Sequence, residues 1–408
     1  MRFDTRAIHD SLNLDPQFGS STIPIFQTAS YAYPTAQALA DVFQGKKYGH
    51  AYSRNSNPTV AAFEAKVKGL EDGIGSVATA TGMAAIAAVV FSLAQAGDTF
   101  VTSSSLFGGT YHLFEDMKQF GITPLYVDAN DAQAFKNAIT DTTRFVYVEA
   151  IGNPKIDVPD IQAIGLLCQA RGIPLVVDAT LVSPYLFQAK KWGVSVVLHS
   201  ATKYMGIGGS TLGGVLTDTG LFDWNTCHSP GVKKWVDKVG SFAFLAKARK
   251  QMVSNVGATL SPLNAFLLHL GLETLSLRLD KHVQNAQAVA EFLKEHPKVK
   301  DVFYCGLKQS PFHERAAGLF SEKYGALMSI RLGSKEACYA MIDALKLVSN
   351  QANIGGSKTL AIHPFSTIYH DCSDVAKHDG GVYEDLVRIS VGLEDRHDIV
   401  ADFEQALR

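Results

Sequence analysis

The chain has 408 residues, 47% of them hydrophobic and 19% charged, with a formal net charge of −2. That length and apolar content suffice for two domains with their own cores, and the near-neutral charge sets aside nucleic-acid binding and membrane-surface attachment as main roles. Five cysteines, at 168, 227, 305, 338 and 372, form no C-x-x-C pair. This spacing supports neither a zinc motif nor a disulfide framework, and it points to free thiols in a reducing, cytoplasmic compartment.

No apolar secretory core follows the opening Met1-Arg2-Phe3-Asp4-Thr5-Arg6. Residues 1–50, interrupted by Pro24 and Pro34, read as an extended N-terminal arm. The next signal is the apolar run Ala78 to Ala94, which Thr79, Thr81, Gly82 and Ser92 interrupt and alanine dominates. It predicts a buried helix rather than a membrane span. Its opening, Thr79-Ala80-Thr81-Gly82-Met83, is a turn into that helix, whose first N–H groups lack internal partners and can hold a phosphate without side chains.

Strand-like runs follow at Thr99–Thr102, Pro124–Val127, Phe145–Val148, Leu175–Val177 and Val196–Leu198, alternating with helical patterns such as Asp160 to Arg171. Such alternation predicts an α/β fold with a mostly parallel sheet flanked by helices, and ligands gather at the carboxyl ends of its strands. Gly82, Glu149, Asp178 and Lys203 all fall near such ends. The long helical pattern Ser261 to Phe292 leads to a smaller α+β region, so the expected division is a cofactor domain over 51–250 and a C-terminal domain over 251–408.

The chemistry centres on His199-Ser200-Ala201-Thr202-Lys203-Tyr204, at the end of a buried strand. A lysine there, with two hydroxyls just before it, suits a Schiff base to a phosphate-bearing aldehyde, which is the chemistry of pyridoxal 5'-phosphate. Twenty-five residues upstream, Asp178 ends another buried strand and could pair with a protonated pyridine nitrogen. The alternative at that position is a turn cap. The glycines from Gly206 to Gly214 raise a nucleotide-binding alternative, but they lack the G-x-G-x-x-G order and no G-x-x-x-x-G-K-[ST] occurs.

Further motifs join these: Pro24-Ile25-Phe26-Gln27-Thr28, Tyr52-Ser53-Arg54 with Asn57-Pro58-Thr59, Leu106-Phe107-Gly108-Gly109-Thr110, Asn153-Pro154, Gly271 to Leu275 and Val387 to Glu394. The ordered set resembles the transsulfuration family of pyridoxal phosphate enzymes nearly end to end. Within that family it is most similar to the O-acetylhomoserine sulfhydrylases. The resemblance implies a fold-type I transferase in which Gly82, Met83, Ser200 and Thr202 hold the phosphate. Phe107 stacks on the ring, Asn153 lies near the phenolic oxygen, and Asp178 and Thr180 belong to the cofactor site. Lys203 is the catalytic amine. Tyr52, catalytic and cofactor-binding, reaches with Arg54 across a dimer interface to the neighbour's phosphate, in what is usually a homotetramer. Arg388 takes the substrate carboxylate, with Asn353 beside it. Read alone, Arg54 suits a surface ion pair and Arg388 a buried pair with an acid such as Glu394.

Departures from the family pattern bear on the substrate. The stacking aromatic is often tyrosine in the lyases; here it is Phe107, which has no proton to give. A departing acetate or succinate needs less acid assistance than a thiolate, so Phe107 favours an acylated homoserine, with sulfide or a small thiol as nucleophile. Gly109 stands where methionine γ-lyases carry a cysteine, and Ala179, Asn353 and Ile368 replace the usual residues at their positions. Cystathionine γ-synthase and γ-lyase chemistry remain the alternatives within the family.

Overall fold

The computed structural model describes residues 1–10 and 19–408; residues 11–18 of the expected arm lie outside the described residues. A seven-stranded sheet forms from β1 (Gly75–Thr79), β2 (Thr99–Ser103), β3 (Thr123–Val127), β4 (Thr143–Glu149), β5 (Leu175–Asp178), β6 (Val196–His199) and β7 (Gly214–Asp218), in the order β1-β7-β6-β5-β4-β2-β3. Only β7 runs antiparallel to its neighbours. The central strands are apolar almost throughout because helices cover both faces, leaving no solvent side for alternation. Five predicted strands therefore fall within a residue or two of their observed bounds.

The arm is not extended throughout. It carries α1 (Phe3–His9) and α2 (Ala36–Phe43), and α1 packs against α3 (Pro58–Leu70). The predicted phosphate-binding helix is α4 (Gly82–Leu93), begun by the Thr81 hydroxyl, which accepts from the Ala84 N–H at 3.1 Å. Phe107 precedes α5 (Gly108–Met117).

The predicted helix Ser261 to Phe292 is two helices, Pro262–Glu273 and Leu275–Glu295. A physical reason lies at Gly271, where a Cβ would stand 2.1 Å from the Met205 carbonyl, so this helix presses against the loop carrying Lys203. Arg278 secures the break, donating to the Gly271 carbonyl at 2.7 Å and the Tyr204 carbonyl at 2.8 Å. The second helix leads to a five-stranded sheet of β8 (Asp301–Phe303), β9 (Leu327–Arg331), β10 (Ser349–Asn350), β11 (Leu360–Ile362) and β12 (Leu386–Ser390), ordered β10-β11-β12-β9-β8.

Candidate active site

The register of the large sheet sets Glu149 beside Asp178, and Asp178 beside Leu198, at the carboxyl ends of three parallel strands. Five residues after Leu198, Lys203 turns into the same space. The result is a cavity of about 270 Å³. Of the residues expected at the site, Gly82, Met83, Phe107, Asn153, Asp178, Thr180, Ser200, Thr202, Lys203, Asn353 and Arg388 line it.

At one end lies the start of α4. Thr81 occupies the N–H groups of Ala84 and Ala85, leaving those of Gly82 and Met83 without helical partners at the positive end of the helix. Ser200 closes over this turn: a Cβ on Gly82 would lie 2.6 Å from Ser200 Cβ. Thr180 Oγ1 accepts from the Ser200 N–H at 2.8 Å, and the Thr202 hydroxyl accepts from the Gly213 N–H at 3.0 Å. Glycines 213 and 214 serve close packing, since a Cβ on Gly214 would lie 2.1 Å from the Thr81 carbonyl oxygen.

At the other end stand the acids. Asp178 accepts from the Thr180 N–H at 2.9 Å and from the Tyr147 hydroxyl at 3.2 Å. Glu149 accepts from the Phe107 N–H at 2.7 Å. Burial raises the pKa of both acids. The Asp178 charge pushes Glu149 further up, while the Thr180 bonds, His199 and Tyr147 favour ionised Asp178. The pair is therefore asymmetric: Glu149 is pushed well above its usual range, while the donors around Asp178 oppose its rise.

Between these ends, Lys203 Nζ donates to Asn353 Oδ1 at 2.7 Å. Burial, helped by the nearby Arg388 cation, lowers its pKa from 10.5 to about 8. Arg388, 4% exposed on β12, donates to Asn153 Oδ1 at 3.2 Å and to the Asn353 carbonyl at 3.4 Å, and its Nε has no partner among the described residues. Glu394 is engaged elsewhere, accepting from the Thr359 N–H at 2.6 Å and hydroxyl at 2.8 Å. The Arg388–Glu394 pair is therefore not formed, and a buried guanidinium faces the cavity with no carboxylate hydrogen-bonded to it among the described residues.

Tyr52 and Arg54 are not brought to this cavity. Arg54 donates to the Ser254 carbonyl and lies 5.4 Å from the Tyr52 ring centroid, while Tyr52 is 42% exposed. Sequence reasoning assigned no role to Glu149, although its place beside Asp178 follows once the strands are paired. It also missed Tyr147, and the buried pair of His199 Nε2 and Glu71 Oε1 at 2.5 Å, which anchors the residue before Ser200. A phenol within the otherwise apolar run Phe145 to Val148 was the available signal for Tyr147. Nothing local marked Glu71.

A reactive amine, an acid at a ring-nitrogen position, a helix start with flanking hydroxyls and an aromatic ring around one cavity fit pyridoxal 5'-phosphate. The fit rests on the Gly82–Ser200 cradle and the Lys203 and Asp178 side chains, and defines a pyridoxal phosphate enzyme of the α/β type. The family of Cys/Met metabolism PLP-dependent enzymes matches over residues 4–408, and the chain belongs to it. It is 40% identical to "Sulfhydrylase FUB7" of Fusarium oxysporum, covering 100% of this chain and 97% of that one. It is 39% identical to the homocysteine synthase of Schizosaccharomyces pombe (99% and 98% covered) and 38% identical to O-acetyl-L-homoserine sulfhydrylase 1 of Thermus thermophilus (100% of each). Among solved structures, a putative O-acetylhomoserine (thiol)-lyase of Campylobacter jejuni, with a pyridoxyl-lysine phosphate, superposes with a TM-score of 0.93 at 30% identity over 100% of both chains. Family membership leaves the nucleotide-binding alternative without support.

Proposed function

We propose that the protein carries out γ-replacement on an O-acylhomoserine, O-acetyl-L-homoserine foremost, using sulfide or a small thiol and giving homocysteine or methionine. The observation that carries this reading is the apolar wall of Phe107 and Ile368 facing a buried, carboxylate-free Arg388. Such a wall offers no proton to a leaving group, which suits a carboxylate leaving as a stable anion. The names of the relatives support the same substrate.

The cofactor, when bound, supplies an electron sink for negative charge developing at the substrate's Cα. Gly82, Met83, Ser200 and Thr202 would hold its phosphate, Phe107 its face, Asp178 its ring-nitrogen proton, with Thr180 orienting Asp178 and Asn153 near the phenolic oxygen. Arg388 grips the substrate carboxylate with its fork, and Asn353 steadies Lys203 beside Cα. A lysine with a pKa near 8 is partly neutral at physiological pH, so Nζ can take the Cα proton and return protons to the neighbouring carbons. Acetate leaves Cγ with its bonding pair, and hydrosulfide forms the C–S bond at the same carbon.

Tyr52 and Arg54 act in this reading on the neighbouring subunit of a dimer, itself half of a tetramer. Support comes from the exposure of Tyr52 together with Phe43 (67%), Tyr48 (88%) and Ile25 (42%), apolar surface on the arm that a partner would cover. We likewise take the chain as an arm to residue 50, a cofactor domain to 250 and a C-terminal domain beyond, and place it in the cytoplasm, in keeping with five unpaired cysteines.

The test offers purified enzyme O-acetyl- and O-succinylhomoserine with sulfide, methanethiol or cysteine and identifies products by mass spectrometry. Homocysteine and acetate from the acetyl ester with sulfide are expected. Turnover with cysteine alone, giving cystathionine, or release of ammonia and an oxo acid without added thiol, would replace this reading with a synthase or a lyase.

A further inference from the structure

Behind the wall made by Phe107 and Ile368, three groups from distant parts of the chain converge. His112 stands on α5, five residues after Phe107, and Asp371 and Cys372 follow Ile368. His112 Nε2 lies 3.0 Å from Asp371 Oδ1 and 3.3 Å from Cys372 Sγ, and the three donor atoms all lie within 4.8 Å of one another. An imidazole nitrogen carries at most one proton, which Nε2 would have to share between a carboxylate oxygen and a sulfur. A cation at the centre serves all three.

Imidazole, carboxylate and thiolate are the ligand types of a borderline-soft divalent ion. Zinc, with bonds of about 2.0–2.3 Å, sets tetrahedral ligand atoms roughly 3.3–3.8 Å apart, against 3.0 Å and 3.3 Å from His112 Nε2 to Asp371 Oδ1 and Cys372 Sγ, with the third pair inside 4.8 Å. Cys372 is 6% exposed, whereas the Asp371 side chain is 57% exposed, which gives the site a walled side and an open side where water completes the tetrahedron. His370 is not needed: its Nδ1 is 2.8 Å from the Thr367 carbonyl and donates there.

We propose that His112, Asp371 and Cys372 bind one Zn²⁺ per chain, with water as fourth ligand and the thiol proton released to solvent. The ion ties α5 of the large sheet's layers to the segment bearing Ile368, bracing the cavity wall from behind. The spacing of the cysteines alone gave no sign of a zinc site, because His112 and Asp371 lie 259 positions apart in the chain.

The experiment uses the cofactor-loaded enzyme, stripped of metal with a chelator and titrated with Zn²⁺ against a chromophoric competitor and, separately, with Co²⁺. One equivalent should bind, Co²⁺ should show tetrahedral ligand-field bands with thiolate charge transfer, and His112→Ala, Asp371→Asn and Cys372→Ser should each weaken binding by about tenfold or more. Cofactor absorbance should persist in all three variants, and Cys372→Ser should lose the charge-transfer band. Should a variant fail to fold, Zn²⁺ protection of Cys372 from iodoacetamide in the unmodified enzyme, read by mass spectrometry, decides. Octahedral Co²⁺ spectra, unchanged affinity in the variants, or alkylation of Cys372 at the same rate with and without Zn²⁺ would each overturn the proposal and leave a surface ion pair.

Discussion

Asn353→Asp places a carboxylate where an amide oxygen now accepts from Lys203 Nζ at 2.7 Å. In the enzyme freed of cofactor, burial and Arg388 hold this amine at a pKa of about 8, below its ordinary 10.5. An adjacent negative charge favours the ammonium form, and opposite charges at this range move a pKa by about 1–3 units. Only the neutral amine attacks an aldehyde, so cofactor capture rises with pH through the lysine pKa. At pH ~7.5 roughly a quarter of the amine is neutral at a pKa of 8, against about 3% at a pKa of 9 and ~0.03% at 11. Capture of pyridoxal phosphate by the variant should therefore be about 8-fold to several hundredfold slower at that pH, recovering at high pH. Stopped-flow absorbance across a pH series measures the midpoint. A midpoint that stays near 8 in Asn353→Asp would show that residue 353 does not sit beside the amine and would refute the reasoning.

Arg388→Lys removes the fork but keeps the charge, and should raise KM for the acylhomoserine by about 10- to 100-fold while bound-cofactor absorbance is unchanged; steady-state kinetics at saturating thiol read this. Gly109→Ala would set a Cβ 2.7 Å from Phe107 Cε1, and the displaced ring should weaken cofactor affinity by about 1–3 kcal/mol, measured by fluorescence titration of the apoenzyme. In Tyr147→Phe, Asp178 loses one donor without loss of volume, and kcat should fall by about tenfold with little change in KM. Lys66, fully buried and 3.3 Å from Glu273, offers a contrast in stability. Lys66→Met should leave the melting temperature unchanged or raise it, because Glu273 keeps access to solvent, whereas Glu273→Gln strands a buried ammonium and should cost about 3–5 kcal/mol in denaturant unfolding.

Strands that run between helix layers are apolar from end to end and bounded by turns, so β2 to β6 could be placed from composition alone. The helix opening at Gly82 and the lysine at 203 were equally readable, because a capping threonine, a glycine and a lysine after a buried strand are local signals. Ordered motifs then carried the family, since each marks a conformation or a contact that the cofactor requires. What the chain by itself determined was thus the local grammar: which segments are buried, where helices start, and which reactive groups stand at strand ends.

Tertiary structure alone decided which of those groups meet. Nothing in the spacing says that β7 runs antiparallel, that Glu149 lies beside Asp178 and is pushed up by its charge, or that Glu394 turns away to Thr359 and leaves Arg388 open. The same holds for the amide of Asn353, 150 residues from Lys203 yet hydrogen-bonded to it. Pairings of this kind depend on chain crossings and on the desolvation that packing imposes. Charge and proton affinity in a buried site are set by neighbours in space, and those neighbours come from segments whose local sequences are independent of one another.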